Sequence, residues 1–465
     1  MEQIRVLNNQ NNNLTKIKPV WYLVIGVIVM TATHMSFSVS LVAWVSSVPF
    51  LIYLSVTKGW KSRLLFAGAL VIAWSFVTAK IITPPIPYLL VFMYSIPLSL
   101  FHLPGYLVWD RFKNRKGSFL LFPAVMTIME WIQYTFTPFA SWGVADYTQS
   151  HSVALMQTVS LVGMAGLSFL IYWVNISITE LIVKRRTTRL TYQIPLIIIL
   201  TLIIFGTLRY DLSKLTGKDL IAVAAVGTDS DVSGLPLATK EINDKIKAAL
   251  FGRTRIAAES GAKLIVWNEG TIFILSEEES IWKDSLTKLA AETKTSLVAS
   301  YVIPVSQAPL KLENKYVYIY STGHILYTYR KHEPVPGEPS IKGDEALKVM
   351  EISGTKIGGA ICYDYDFPYI AKGFGKLKTD IVALPSSDWR DIDPLHSRMA
   401  AFRAVEQGHS ILRSTRFGHS AAITPYGEMI SQMSSFDKNG SGLITLMDKK
   451  IVIDKQPDQR VMNYY

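Results

Sequence analysis

The sequence predicts a polytopic α-helical membrane domain followed by an α/β domain of the layered α-β-β-α sandwich type. Most of residues 20–210 lies in long apolar stretches. The whole net charge of +11 also falls in residues 1–210, which hold 16 Lys and Arg against five Asp and Glu, so the remainder is neutral. After Asp211, short apolar runs alternate with charged, helix-like segments, a rhythm typical of α/β domains.

Residues 1–19 are predicted to form a disordered cytoplasmic tail. They include the low-complexity run "NNQNNN" at Asn8–Asn13, which has no apolar side chains with which to build a core. No signal peptide with a small-residue cleavage site is recognisable near the start.

Seven apolar stretches follow the tail, and most reach the roughly 20 residues that a helix needs to cross a bilayer. We therefore expect about seven transmembrane helices over residues 20–210, the sixth long enough to tilt. The stretches are Val20–Ser36, Val39–Val56, Leu64–Ile82, Tyr88–Val108, Phe119–Phe136, Val153–Val183 and Ile194–Leu208.

The connections between these stretches differ sharply in charge. The tail and the segments 57–63, 109–117 and 184–189 together hold fourteen Lys and Arg, whereas the alternate connections hold only Lys80. Basic residues collect in cytoplasmic loops of membrane proteins. The pattern predicts a cytoplasmic N-terminus and, after seven crossings, an extracytoplasmic domain at 211–465. Charge placed between apolar runs also argues against a nucleic-acid partner.

Glu130 lies inside the fifth apolar stretch. A carboxyl group at that depth is costly and is usually paired or functional. We expect a structural hydrogen bond to a neighbouring helix.

The second half contains the strands and helices of an α/β domain. Predicted strands include "LIAVAAV", "KLIVWNEG", "SLVASYVI", "KIGGAICYD", "DIVALPSSDW", "HSILRST" and "SAAITPYG". "STG" is predicted to join two strands of "NKYVYIYSTGHILYTYRK" as a hairpin turn. Helical spacing is present over Lys240–Gly261 and over Pro394–Gln407.

Three chemically useful side chains end predicted strands. Glu269 closes "LIVWNE", Lys331 closes "HILYTYRK", and Cys362, the single cysteine of the chain, closes "KIGGAIC". Such positions gather at one edge of an α/β sheet. The carboxylate would serve as general base toward the thiol, and the ammonium is expected to lower the thiol pKa and, with the N–H of Tyr363, to hold an oxyanion. The alternative for a lone cysteine is a small buried hydrophobic residue.

Longer motifs around these residues resemble the carbon–nitrogen hydrolase (nitrilase) superfamily, whose members use a Glu-Lys-Cys triad on an α-β-β-α sandwich. "WNEG" stands where the family has Trp-Pro-Glu, and "ICYDYDFP" matches the nucleophile stretch. "SSDWRDIDPLHSRMAAFRAVEQG" and "LRSTRFGHSAAITPYGE" follow the downstream pattern. The resemblance implies that Glu269, Lys331 and Cys362 are the catalytic residues.

A membrane half joined to such a domain resembles the apolipoprotein N-acyltransferase family. The segment "EWIQYTFTPFASWGVADYTQ", which begins in the fifth stretch and continues beyond it, resembles that family as well. "YRKHEPVPGE" matches the family's lysine segment, which implies a supporting role for Glu338. Tyr363 and Asp364 are further supporting candidates, and Trp389 is a candidate substrate contact. Packing remains the alternative for both aromatic residues, and helix capping for Asp364.

Several residues depart from the family pattern. Glu338 follows Lys331 by seven residues where the family has eight, and Arg416 and Phe417 stand where it favours asparagine. The stretch "LMDKKIVIDKQPDQRVMNYY" is too polar for the further transmembrane helix with which the family usually ends. These departures bear on lipid specificity more than on the triad.

The resemblance implies N-acylation of the amino-terminal S-diacylglyceryl-cysteine of lipoproteins through a thioester on Cys362. Its implied partners are a phospholipid acyl donor, a diacylated lipoprotein acceptor and the membrane, with no cofactor and no metal. The implied location is the bacterial inner membrane, with the catalytic domain on the periplasmic side. Three alternatives stay open: a membrane-anchored amidase that hydrolyses a C–N bond, a divergent acyltransferase with another amine acceptor, and a non-catalytic membrane scaffold. The strand-end residues argue against the scaffold, and the number of spans argues against a tethered hydrolase.

Overall fold

A computed structural model describes residues 17–83, 86–183, 189–214, 219–228, 237–436 and 451–455. The chain divides into two compact units, Met1–Tyr210 and Asp211–Tyr465. Residues 1–16 of the predicted tail and most of the basic segment 184–189 lie outside the described residues, as do residues 437–450 and 456–465 of the polar C-terminal stretch.

The first unit is built from helices. In chain order they are α1 Val20–Thr31, α2 Ser40–Ala43, α3 Val48–Val56, α4 Trp60–Ala79, α5 Leu89–Phe112, α6 Leu121–Phe136, α7 Val153–Met156, α8 Val159–Val183 and α9 Arg189–Ser213. Short 3-10 turns lie at Ser118–Leu120 and Ala145–Gln149.

Five of the described helical segments are long and apolar enough to cross a membrane: Trp60–Ala79, Leu89–Phe112, Ser118–Phe136, Val159–Val183 and Tyr192–Ser213. Two shorter apolar segments, Val20–Thr31 and Ser40–Val56, precede them. Seven crossings therefore remain a prediction.

The sixth apolar stretch is not the single long helix that we expected. It divides into α7 and α8, and α8 itself contains Gly163 with φ of 63°, outside the helical region. The second stretch likewise divides into α2 and α3. Polar residues lie at the two breaks between helices, Ser46 and Ser47 in the second stretch and Gln157 and Thr158 in the sixth, but a hydropathy average over a whole stretch does not resolve them.

Glu130 makes the structural contacts that its position predicted. Its Oε1 accepts hydrogen bonds from the Tyr172 hydroxyl of α8 at 2.6 Å and from the Ala145 N–H at 2.9 Å. The carboxyl group is buried. One acceptor thus joins α6, α8 and the turn at Ala145–Gln149.

The second unit contains two six-stranded mixed sheets. The first has the order β12-β1-β2-β3-β4-β5, with β1 Asp219–Val226, β2 Leu264–Trp267, β3 Ser296–Gln307, β4 Leu310–Ile319, β5 Ile325–Arg330 and β12 Ile451–Lys455. The second has the order β11-β10-β9-β8-β7-β6, with β6 Met350–Ile352, β7 Thr355–Gly359, β8 Ile381–Ser387, β9 Ser410–Arg416, β10 His419–Ile423 and β11 Met429–Ser434.

Helices cover the outer faces of the two sheets and complete the expected α-β-β-α sandwich. Helices α10 Lys240–Glu259 and α11 Glu279–Thr293 pack on the first sheet, and α13 Leu395–Gln407 packs on the second, next to α12 Pro368–Lys376. The predicted hairpin is present, since β4 and β5 pair antiparallel around Gly323, whose φ is 84°.

Alternation along β2 shows how the two cores form. Ile265 and Trp267 belong to the helix-facing core, whereas Leu264 and Val266 belong to the core between the sheets. Successive side chains of a strand point to opposite faces, so a fully apolar strand serves both cores.

The two sheets approach each other closely beside the nucleophile segment. A Cβ placed on Gly359 of β7 would lie 2.5 Å from the Tyr316 hydroxyl of β4. A larger residue at position 359 would force Tyr316 to move, so glycine suits this close approach of the two sheets.

Replacement of Glu130 by leucine is expected to destabilise the membrane unit by about 1–3 kcal/mol, because two buried donors lose their acceptor. Thermal unfolding of the full chain in detergent measures the effect. Glu130→Gln, which keeps an acceptor oxygen, is the matched control and should lose less. Equal stability of the two variants would contradict the structural role.

Candidate active site

Three strand ends bring the predicted residues into one site. Asn268 alone separates Glu269 from the end of β2, and Lys331 directly follows β5. Cys362 begins a 3-10 turn, Cys362–Asp366, shortly after β7. All three side chains are buried. The first two strands belong to one sheet and the third to the other, so the site lies where the two sheets meet.

Lys331 is held between two carboxylates. Its Nζ donates to Glu269 Oε1 at 2.8 Å and to Glu338 Oε2 at 2.7 Å. Only 2% of the lysine side chain is exposed, so the ammonium is neutralised by protein rather than by water. Glu338 therefore reaches the lysine in spite of the seven-residue spacing.

The charges of this cluster stabilise one another. Burial by itself lowers the pKa of Lys331, but Glu269 and Glu338 outweigh it and hold that pKa well above its ordinary value. Burial raises the pKa of Glu338, and Lys331 reverses the effect, so the net pKa lies below its ordinary value. The ammonium is therefore a fixed positive charge at the site.

Asn314, in β4, is a site residue that sequence reasoning missed. Its Nδ2 donates to Glu269 Oε1 at 2.7 Å and to Glu338 Oε1 at 3.3 Å, so one amide links both carboxylates. Its backbone carbonyl accepts from the Lys331 N–H at 2.8 Å. An asparagine inside a strand carries no motif, and only the pairing of β4 with β5 reveals its role.

Cys362 has a backbone conformation that L-residues seldom adopt. Its φ is 48°, in the left-handed region, which costs roughly 1–2 kcal/mol for a residue with a Cβ. Its Sγ–H donates to the Ser387 carbonyl at 3.4 Å, and the neighbouring Ser386 carbonyl accepts from the Glu269 N–H at 3.2 Å. Two consecutive carbonyls at the end of β8 thus hold the thiol and the backbone of the carboxylate residue side by side.

The thiol pKa departs from our expectation. Burial raises the pKa of Cys362 most, and the charge of Glu269 raises it further. Lys331 acts in the predicted direction but is outweighed, so the net pKa lies well above its ordinary value. The resting thiol is protonated, which makes a general base necessary.

Asp364 orients the segment around the thiol rather than capping a regular α-helix. Its carboxyl accepts from the Ile361 N–H at 2.9 Å, the Tyr329 hydroxyl at 2.9 Å and the Glu333 N–H at 2.6 Å. Burial raises its pKa to about 7. It joins the Cys362 turn to the loop that follows Lys331.

The remaining sequence-predicted residues lie near the site without an assigned role. The ring of Tyr363 packs edge-to-face on Phe367, with centroids 5.5 Å apart. Trp389 is half-buried beside Asp388, and its substrate contact stays a prediction. Arg416 donates from Nε to the Ser387 hydroxyl at 2.7 Å, so this departure from the family pattern adjoins the thiol's hydrogen-bond acceptor.

A second polar group adjoins the thiol, and our sequence analysis did not find it. Cys362, Asp388 and His396 place Sγ, nitrogen and oxygen atoms within 4.8 Å of one another, the donor types that transition metals bind. However, both nitrogens of His396 contact aspartates, and Arg413 contacts both oxygens of Asp388. These atoms are engaged with one another in a hydrogen-bond network.

Both halves of the chain match known protein families. Residues 210–448 match the carbon–nitrogen hydrolase family, and residues 26–177 match the apolipoprotein N-acyltransferase N-terminal domain. Apolipoprotein N-acyltransferase of Borreliella burgdorferi is 24% identical over 74% of this chain and 72% of its own length. That of Bradyrhizobium diazoefficiens is 26% identical over 74% and 72%. An amidase structure from Nesterenkonia sp. is 17% identical, with a TM-score of 0.42, over 52% of this chain and 92% of its own.

The chain thus belongs to the carbon–nitrogen hydrolase family, whose model matches more than half of it, and its second unit has the sandwich fold expected for that class. Within that class, its relatives are the apolipoprotein N-acyltransferases, which it matches in both halves. It is a membrane protein, with five apolar helices of spanning length among the described residues.

Glu269→Gln is expected to lower the pKa of the Cys362 thiol by about one unit or more, because a like charge that opposes thiolate formation is removed. Since the chain has one cysteine, alkylation by iodoacetamide across pH reports on this thiol alone. Glu351→Gln, at an exposed position, is the control and should leave the profile unchanged. An unchanged or raised apparent pKa in Glu269→Gln would refute this electrostatic description.

Proposed function

We propose that this protein transfers an acyl chain from a membrane phospholipid to the amino group of an S-diacylglyceryl-cysteine at the N-terminus of a lipoprotein. The observation that carries the proposal is the joining, in one chain, of a buried carboxylate–ammonium–thiol site to a membrane domain of the acyltransferase type. Apolar helices give a lipid donor a route within the bilayer that a soluble amidase does not need.

In the first step, Glu269 takes the proton of the Cys362 thiol, and the thiolate attacks the ester carbonyl of the phospholipid. The oxygen that becomes negative is stabilised by the ammonium of Lys331. Collapse of the intermediate breaks the ester C–O bond. The proton on Glu269 passes to the departing oxygen, which leaves a lysophospholipid and a thioester on Cys362.

In the second step, the amino group of the lipoprotein attacks the thioester. Glu269 accepts a proton from the amine, the C–S bond breaks to release the amide, and Glu269 passes the proton to the departing sulfur, which restores the thiol. Glu338 and Asn314 support Glu269 and Lys331 through their hydrogen bonds, and Asp364 holds the nucleophile segment. No step requires a cofactor or a metal.

We place the protein in the bacterial inner membrane, with residues 211–465 on the periplasmic side. The asymmetry of basic residues among the connections supports this orientation. A diacylated lipoprotein and a phospholipid both present their reacting groups at that membrane surface.

Purified protein given phospholipid alone is expected to release one lysophospholipid per active site and then stop. An acyl adduct on Cys362 should be visible by intact mass spectrometry. Addition of a diacylglyceryl-cysteine peptide with a free amine should restart release and give ping-pong kinetics.

Cys362→Ser is the matched variant for this experiment. Its alcohol is far less ionised than a thiol, so transfer should fall at least about a hundredfold. Unchanged transfer would exclude the thioester. Continuous release of fatty acid without an amine acceptor would instead establish a hydrolase.

Orientation is tested separately. A reporter that is active only outside the cytoplasm should be active when fused after Tyr465 and inactive when fused after Lys116, in a basic connection. The opposite result at both positions would reverse the orientation and leave the acyl-transfer chemistry untouched.

A further inference from the structure

Four buried charged side chains form a continuous network behind Cys362. His396 lies between two aspartates: its Nδ1 is 2.7 Å from Asp388 Oδ1, and its Nε2 is 3.1 Å from both oxygens of Asp366. Arg413 donates to Asp388 through two nitrogens, at 2.7 and 3.0 Å. None of the four residues is more than 6% exposed.

The contacts determine the charge of the network. Ionised aspartates only accept hydrogen bonds, and a ring that donates from both nitrogens to Asp388 and Asp366 is an imidazolium, the form that pairs with both carboxylates. Arg413 Nη2 lies 3.0 Å from Nδ1, and both donate to the same oxygen of Asp388. Burial lowers the pKa of His396, but the two aspartates outweigh it and raise that pKa to about 9. With the imidazolium, these four side chains carry two positive and two negative charges, and Arg403 adds a contact to the Asp366 carbonyl at 3.4 Å.

The network contacts the nucleophile from two sides. Asp366 ends the 3-10 turn that Cys362 begins. Asp388 follows Ser387, whose carbonyl accepts the thiol hydrogen bond. His396 joins these two segments and lies within 4.8 Å of Sγ. The charged groups that act most strongly on the thiol are Glu269 and Lys331 from the first sheet and Asp388 and Arg413 from the second.

We propose that His396 is a positioning residue, and that the charge balance of Asp366, His396, Asp388 and Arg413 governs the reactivity of Cys362. The imidazolium contacts Asp366 of the nucleophile turn and Asp388 after β8, and so maintains the hydrogen bond from the thiol to the Ser387 carbonyl. It also cancels one of two aspartate charges that would otherwise oppose the thiolate. The inference rests on the proposed role of Cys362 as nucleophile, but its test does not require acyl transfer.

Paired substitutions separate charge from packing. His396→Gln leaves the network with one net negative charge, Asp366→Asn leaves one net positive charge, and the double variant is neutral. Iodoacetamide alkylation of the single thiol is measured across pH on the full chain in detergent. The apparent pKa of the profile reports thiol ionisation, whereas its upper plateau reports access to the thiol.

We expect the apparent pKa to rise in His396→Gln, to fall in Asp366→Asn, and to return near that of the unsubstituted protein in the double variant. At a fixed pH below the pKa, alkylation should be about tenfold slower in the first variant and severalfold faster in the second. Asp284→Asn, the same change at an exposed position, should have no effect.

Shifts of the same sign in both single variants, or none, would overturn the proposal, since a packing role does not depend on the sign of the charge. Thermal unfolding identifies variants that are folded. Should His396→Gln fail to fold, the sign of the shift in Asp366→Asn alone decides. Failure of acyl transfer together with the expected alkylation shifts would reject the proposed function and leave the network intact.

Discussion

The catalytic half depends on the ammonium of Lys331, buried between the carboxylates of Glu269 and Glu338. A buried charge without a partner is strongly destabilising, so contact among these three side chains stabilises the domain. For them to meet, the ends of β2 and β5 and the loop after β5 must hold fixed positions relative to one another. Asn314 extends the requirement to β4, because its amide contacts both carboxylates. Stability and chemistry therefore share the same hydrogen bonds.

The sum of these charges also sets the state of the thiol. Two carboxylates and one ammonium leave the cluster with an excess negative charge, and burial removes the water that would otherwise stabilise a thiolate. The pKa of Cys362 accordingly lies above its ordinary value, although a lysine is nearby. Sequence reasoning assigned the correct sign to the lysine but had no measure of burial, which has the larger effect. Such magnitudes depend on the folded environment and are not encoded in a local motif.

The fold class and the three central residues were predictable because they depend on local patterns. Strand ends are recognisable from short apolar runs, and Glu269, Lys331 and Cys362 each lie within three residues of one. Asn314 and His396 were not predictable, since their roles arise from strand pairing and from the packing of α13 against the second sheet. The division of the sixth apolar stretch was missed for a related reason. Hydropathy measures apolar content and does not reveal where a helix is interrupted.

A neutral resting thiol suits a reaction with two different substrates. A permanent thiolate would be exposed to any electrophile and would leave Glu269 without a proton to give to the departing oxygen. In the mechanism that we propose, Cys362 ionises only as Glu269 takes its proton, so that each attack is coupled to the protonation of the group that leaves. The same carboxylate is then free to accept a proton from the incoming amine. On this argument, a base held by Lys331 and Asn314 matters more to acyl transfer than a low thiol pKa, and burial of the thiol is part of the chemistry rather than an obstacle to it.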